Sequence, residues 1–334
     1  MKSRFSVLLA AVALVIGAMA LTACDPVVGI TVTTTADGSD ADPGDGVCEA
    51  TVGVGNCTLR AAIDEGSAAW AANLTVPAGT YRLTLVDGDG SIDLDITGSV
   101  SINWETFAAV EVVSPAGQSG IEVGGGAKLT ASGLSLSGGR LVVAGNAMLD
   151  RATLWPNGAF TYTGPVLAVL PGGIATLGNS DLSNYGGMVV QNEGAASFVY
   201  TRFSTLNGGP GVLTTGSGAT TLQGSRYEPM GGAFNSVFAQ AQHPFCQGNL
   251  PQSNGGNWSP NDSCQLTGEA DLQNATISGT GTGMRFVPTW RDQIPVGVAG
   301  CGTSSTVDAV GAPRPSDNNG DGIAKCDAGN REGA

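Results

Sequence analysis

The chain has 334 residues, a net charge of −14, 13% charged residues, 42% apolar residues and 52 glycines. An acidic body without a basic run excludes nucleic acid as a partner. Glycine at about twice its usual share of ~7%, with no triplet period and ample apolar content, excludes both collagen and a disordered polymer and leaves a chain of many short strands joined by glycine turns.

Residues 1–23 read as an export signal. Lys2 and Arg4 precede an apolar run from Ser6 to Ala20, and Leu21-Thr22-Ala23-Cys24 follows. The run has the length of a signal core and falls short of a comfortable membrane span of about 20 residues. A cysteine closing Leu-Thr-Ala resembles the lipobox of bacterial lipoproteins. That resemblance implies that the sulfur of Cys24 takes a diacylglycerol and its freed amine an acyl chain, so that membrane lipid is a partner. Each buried methylene contributes about 0.8 kcal/mol, and more than one chain anchors stably. The expected product is an exported lipoprotein, membrane-anchored at the bacterial cell envelope and facing outside the cytoplasm.

An oxidising destination makes disulfides the expectation for the other six cysteines. Nearest neighbours in sequence pair as Cys48–Cys57, Cys246–Cys264 and Cys301–Cys326, each worth about 2–4 kcal/mol. No CxxC pair occurs and His243 is the single histidine, a poor set of ligands for zinc.

Residues 24–90 make a cap and the first strands. Val27 to Thr35 is strand-like, and an acidic loop carrying Asp37, Asp40, Asp42 and Asp45 follows. Calcium is one reading of that loop. Thr58 suits an N-cap, and Leu59, Ala62 and Ile63 fall on one face of a short helix ending near Gly66. Leu74 to Leu85 reads as strand, tight turn, strand.

Residues 91–240 hold an internal repeat. A glycine is followed at the second and fourth positions by apolar or β-branched residues, and five residues later by another large apolar residue. The pattern starts at Gly98, Gly125, Gly145, Gly173, Gly194 and Gly218, at separations of 27, 20, 28, 21 and 24. Alternation marks a strand, and the five-residue step marks a corner. Coils of this length cannot bury an apolar row alone, but stacked coils bury a continuous column. The expected fold is therefore an all-β parallel β-helix solenoid with a short N-terminal capping helix. A β-sandwich would show turns every 8–12 residues or so without recurrence at this longer spacing. The predicted inward file is Ile102, Leu129, Leu149, Leu177, Phe198 and Leu222. The predicted outward column is Thr106, Gly133, Thr153, Asp181, Arg202 and Arg226.

Residues 241–334 make the final strands and a disulfide-bearing C-terminal cap. Asp317-Asn318-Asn319-Gly320-Asp321-Gly322 matches the opening of a calcium loop, with Asp317, Asn319 and Asp321 as the oxygen donors. The twelfth position is Ala328 and not Glu, so a complete EF-hand is excluded. A truncated calcium loop and an Asx-rich turn are the two remaining readings.

Cys57-Thr58-Leu59-Arg60-Ala61-Ala62-Ile63 resembles the namesake motif of the CSLREAI family of bacterial and archaeal surface proteins. Thr34-Thr35-Ala36-Asp37, Asp45-Gly46-Val47-Cys48 and Val76-Pro77-Ala78-Gly79-Thr80-Tyr81 look like the same family. Arg314-Pro315 and Cys326-Asp327-Ala328-Gly329 match its usual ending in part. The resemblance implies an N-terminal cap leading into a pectin-lyase-like, right-handed β-helix. It implies a structural Arg60 that ties the helix to a loop, and it implies no established reaction.

Function is thinly written in the residues. Asp181, Arg202 and Arg226 form a candidate ligand-binding row, because guanidinium groups bind a saccharide carboxylate bidentately. A solvated face with one weak salt bridge is the other reading. Glycoside hydrolysis needs paired carboxylates about 5–9 Å apart, whereas Glu111, Glu122, Asp150, Asp181, Glu193 and Glu228 fall in different columns. His243 has no evident serine or cysteine partner. The expectation is a non-enzymatic cell-surface lipoprotein for adhesion, glycan binding or envelope structure, with polysaccharide or surface glycan as its partner. A polysaccharide lyase or glycoside hydrolase on the same scaffold is the alternative.

Overall fold

A computed structural model describes residues 27–104, 110–115, 117–156, 164–184, 187–205, 209–229 and 244–257, and shorter pieces between 259 and 326. The chain enters through β1 (Val28–Thr31) and α1 (Leu59–Ala68), then winds through successive three-strand coils. The first coil is β2 (Ala71–Val76), β3 (Gly79–Arg82) and β4 (Leu94–Ile96). The second is β5 (Ser99–Trp104), β6 (Val110–Val113) and β7 (Ser119–Val123). The third is β8 (Lys128–Ser132), β9 (Ser135–Ser137) and β10 (Arg140–Val143). The fourth is β11 (Asn146–Asp150), β12 (Thr153–Trp155) and β13 (Leu167–Val169). The fifth is β14 (Ile174–Gly178), β15 (Asp181–Asn184) and β16 (Val190–Asn192). The sixth is β17 (Ala195–Val199), β18 (Arg202–Thr205) and β19 (Val212–Thr214). The seventh is β20 (Ala219–Gln223), β21 (Arg226–Pro229) and β22 (Cys246–Gly248), after which β23 (Gln252–Ser253) opens another turn. A short antiparallel pair, β24 (Ile294–Pro295) and β25 (Lys325–Cys326), lies outside the coils.

Every third strand falls in the same wall, and each wall pairs strands of successive coils. The first wall runs β1-β2-β5-β8-β11-β14-β17-β20-β23; the second runs from β3 to β21 and the third from β4 to β22. All the pairings within the walls are parallel. This is the all-β parallel β-helix that the repeat predicts.

The walls enclose one apolar column. On the first wall, Ile30, Leu74, Ile102, Ala131, Leu149, Leu177, Phe198 and Leu222 share a register, and each of them is buried. The predicted file needs one correction here. Leu129 sits in the adjacent inward file, opposite Val100 and Ala147, and Ala131 takes the place expected for it. The second repeat starts at Ala127, two residues beyond Gly125, because Gly124 to Gly126 belong to the preceding turn. On the second wall the file is Tyr81, Val112, Leu136, Leu154, Leu182, Phe203 and Tyr227. Leu136 therefore replaces Leu134, and Val112 takes the place assigned to Phe107, which lies outside the described residues.

The corner between the first and second walls recurs as a left-handed residue. Gly133, Arg151, Asn179, Tyr200 and Gly224 directly follow the aligned strands, and all have φ between 49° and 83°. A left-handed residue reverses the direction of the chain within a single step, which costs a non-glycine residue about 1–2 kcal/mol. A serine or threonine hydroxyl just after the bend helps to hold it. Ser180 Oγ accepts from Ala152 N at 3.1 Å, and Ser225 Oγ accepts from Thr201 N at 3.2 Å.

The helix closes the N-terminal end. Thr58 caps it by accepting from Ala61 N at 3.0 Å. Leu59, Ala61, Ala62 and Ile63 are buried, and α1 packs on β1, β2, β4 and β5. Gly66 allows that approach, since a Cβ there would stand 2.7 Å from the Cβ of Ala72. At the other end Phe198, Phe203, Phe245 and Tyr227 form a chain of aromatic contacts with centroids 5.0–5.3 Å apart.

Two expected disulfides are present, Cys48–Cys57 and Cys246–Cys264. Cys326 is disulfide-bonded too, and Cys301 lies outside the described residues. The Arg314 guanidinium stacks 3.9 Å above the ring of the buried Tyr200, so part of the C-terminal segment lies along the corner of the sixth coil.

Candidate functional site

Residues Thr80, Glu111, Ser135, Thr153, Asp181, Arg202 and Arg226 follow one another in register along the outside of the second wall. Thr153, Asp181, Arg202 and Arg226 were expected in this column. Gly133 is not in it, because it forms the left-handed corner; Ser135 holds that place. Glu111 holds the place given to Thr106, which lies outside the described residues.

The structure pairs Asp181 with Arg202 directly, through Asp181 Oδ2 and Arg202 Nη2. Asp181 Oδ1 accepts from Ser183 Oγ at 3.1 Å, and Ser183 Oγ lies 2.8 Å from Ser204 Oγ. Both oxygens of Asp181 are thus engaged within the wall. A partly exposed pair of this kind is worth about 0–1 kcal/mol. Arg226 takes the next register position.

The first wall presents a longer polar row. Asn73, Ser101, Thr130, Met148, Thr176, Ser197, Thr221 and Gln252 stand in register on its outer face. Seven of the eight carry a hydroxyl or carboxamide, and the strand spacing sets them about 4.8 Å apart. Over the first three coils Asn73, Ser101 and Thr130 of this row, with Ser99 and Lys128, line a shallow depression.

A denser charge cluster lies where the loop after β3 enters the third wall. Asp87, Asp89, Ser91, Asp93 and Asp95 place an oxygen-bearing side chain at every second residue. The Asp87 carbonyl accepts from Gly90 N at 3.3 Å, and Ser91 N donates to Asp89 Oδ1 at 2.9 Å. Asp95 then enters β4 opposite Glu122 of β7. Asp93, Asp95 and Glu122 each offer an oxygen within 4.8 Å of the others, as do Asp87, Asp89 and Asp95. Burial, together with the charges of Asp93, Asp87, Asp89 and Glu122, pushes Asp95 up to about 6. Burial raises Asp93 as well, against the hydrogen bond from Ser91.

Arg60 borders this cluster. Its Nε donates to Asp37 Oδ1 at 2.8 Å, its Nη1 stands 3.6 Å from Asp87 Oδ2, and its Nη1 also donates to the Asp93 carbonyl. Arg60 is 4% exposed and bonds to both the entering segment and the loop after β3, which fits a residue that ties helix to loop. Asp37 serves the same junction, and so is withdrawn from any calcium loop.

A second group, Asp40, Asp45 and Glu65, also converges. Both Glu65 oxygens there already accept backbone donors, from Gly44 N at 2.5 Å and Gly46 N at 2.8 Å. Three other acids of the solenoid body are locally engaged. Glu111 accepts from Ser137, Asp150 pairs with Arg151 at 2.9 Å, and Glu193 accepts from Gln191. Cys24, His243, Cys301, Asp317, Asn319 and Asp321 lie outside the described residues.

The Asp87–Asp95 cluster is absent from the sequence-based candidates, although its alternation was visible. In isolation it reads as an ordinary acidic loop. Nothing local indicates that Glu122, 27 residues beyond Asp95, lands beside it. No family model, curated protein or solved structure matches this chain.

Proposed function

We propose that this protein is an exported, lipid-anchored β-helix. Its outer walls hold polysaccharide or surface glycan without turning it over, in adhesion or envelope structure. The observation that supports this most is the row from Asn73 to Gln252. A ladder of hydroxyls and carboxamides at the strand spacing, broken only by Met148, offers hydrogen bonds to an extended polymer whose own hydroxyls recur. The lipobox-like Leu21-Thr22-Ala23-Cys24 supplies the anchor.

The protein is applied to a glycan array and compared with a Thr130→Arg/Thr176→Arg variant. Retention of a polysaccharide by the wild type, lost in the variant, supports the reading. Equal retention by both overturns the assignment of this wall.

The competing reading is a polysaccharide lyase or glycoside hydrolase. One observation favours it: Asp95 and Glu122 lie side by side on an outer face, and Asp95 is raised into the range of a general acid. Release of unsaturated or newly reducing products, abolished by Asp95→Asn, would establish it.

A further inference from the structure

We propose that Asp93, Asp95 and Glu122, with Asp87 and Asp89 beside them, form a calcium site that fastens the N-terminal cap to the first two coils. The inference is independent of the glycan reading, because it concerns a different wall.

Convergence is the first support. Oxygens bound to one calcium at about 2.3–2.6 Å can be at most about 5 Å apart, and those of Asp93, Asp95 and Glu122 lie within 4.8 Å of one another. The second support is an orphaned buried atom. Asp93 is wholly buried. Its Oδ1 accepts from Ser91 Oγ, while its Oδ2 has no hydrogen-bond partner. A buried carboxylate oxygen without a donor is costly; a proton or a cation relieves it, and the neighbouring carboxylates offer a cation further ligands.

Charge counting points the same way. Five carboxylates meet here. Among the described residues the ion pair made with any of them is that of Arg60 with Asp87, and Arg60 is nearer to Asp37.

The donors select the ion. All are oxygens, which excludes the nitrogen and sulfur preference of zinc. They come from a loop and two strands rather than from one rigid turn, and Asp95 and Glu122 are partly exposed and open to water. Calcium accepts 6–8 oxygens or so in loose geometry, while magnesium demands a near-ideal octahedron. Glu122 Oε1 accepts from Ser119 Oγ at 2.6 Å, which leaves Oε2 for the ion. The Asp40–Asp45–Glu65 group is the weaker candidate, because Glu65 is satisfied by backbone donors.

Position gives the site a task. Asp95 belongs to the first coil and Glu122 to the second, and the Asp93 carbonyl is bonded to Arg60 of α1. One ion would join the cap helix, the loop and two coils.

The test is calcium titration calorimetry on the full chain after chelator treatment, beside Asp95→Asn and Glu122→Gln. The difference in bound calcium is the readout, since other acidic loops contribute equally to each protein. Each variant is expected to bind one calcium fewer, or to bind it about tenfold or more weakly. Unchanged stoichiometry and affinity in both variants would overturn the proposal. Should a variant misfold, hydrogen exchange of wild-type residues 87–95 with and without calcium decides. Slowed exchange on adding calcium supports the site, and unchanged exchange sinks it.

Discussion

The Nε of Arg60 lies 2.8 Å from Oδ1 of Asp37, with both side chains almost fully buried. Asp37 Oδ2 accepts from Thr84 N at 2.6 Å and from Leu85 N at 2.7 Å. Two side chains thus join the entering strand segment, the cap helix and the loop that leads to the carboxylate cluster. Breaking a buried pair by removing one partner costs about 3–5 kcal/mol. Arg60→Met is therefore expected to destabilise the chain by that order in urea unfolding. Arg60→Lys should recover only part of it, because an ammonium cannot reproduce the planar fork.

Asp37 also predicts acid sensitivity. Burial pushes its carboxyl up, but the hydrogen bonds from Arg60, Thr84 and Leu85 outweigh it and hold the group below the usual carboxylate range. A folded-state value below the unfolded one gives stability that is present above pH ~4 and lost as pH falls through the folded value. Asp37→Asn should be less stable at pH 7, and the gap to wild type should shrink below pH ~3, as read from unfolding midpoints.

Asp95 works in the opposite sense. Burial first, then Asp93, Asp87, Asp89 and Glu122, raise its folded value to about 6. Unfolding then ionises the group at a lower pH than folding allows. In chelator, stability should fall as pH rises from about 4 to 6 and stay low above that. Asp95→Asn should flatten this slope in a series of thermal melts. A wild-type melting temperature that rises across the interval would contradict the assignment.

The left-handed corner gives a backbone prediction. Arg151 has φ 55°, a conformation that a β-branched residue tolerates least. Arg151→Val should cost about 1–2 kcal/mol, and Arg151→Gly should cost far less, since relief of strain offsets the lost pairing with Asp150. Equal losses in denaturant unfolding would show that the side chain matters and the backbone does not.

Anchoring is tested by fractionation. Cys24→Ser should move the protein from the membrane to the soluble fraction, because no thiol remains for the lipid. Retention of the variant in the membrane would exclude the tether.

The repeat makes much of the fold legible in the sequence. Gly145-Ala147-Leu149 and Gly173-Ala175-Leu177 recur residue for residue, and the structure stacks them in that register. At Gly125 the repeat departs from its register, and Ala127 takes the starting position. That glycine belongs to a Gly-rich turn, and one-dimensional matching could not tell a turn glycine from the residue that starts a strand. Cys48–Cys57 and Cys246–Cys264 followed from proximity in the chain, which short loops favour.

Sequence by itself determined the period, the inward alternation and the capping helix at Thr58, because each depends on neighbours along one strand or one helical turn. Only the tertiary structure decided that Asp181 would hold Arg202, that Tyr200 would lie under Arg314, and that Asp93 and Asp95 would meet Glu122. Each of those contacts joins residues far apart in the chain, between coils or between a coil and the C-terminal segment, and the lengths of the intervening corners and loops set which side chains finally stand together.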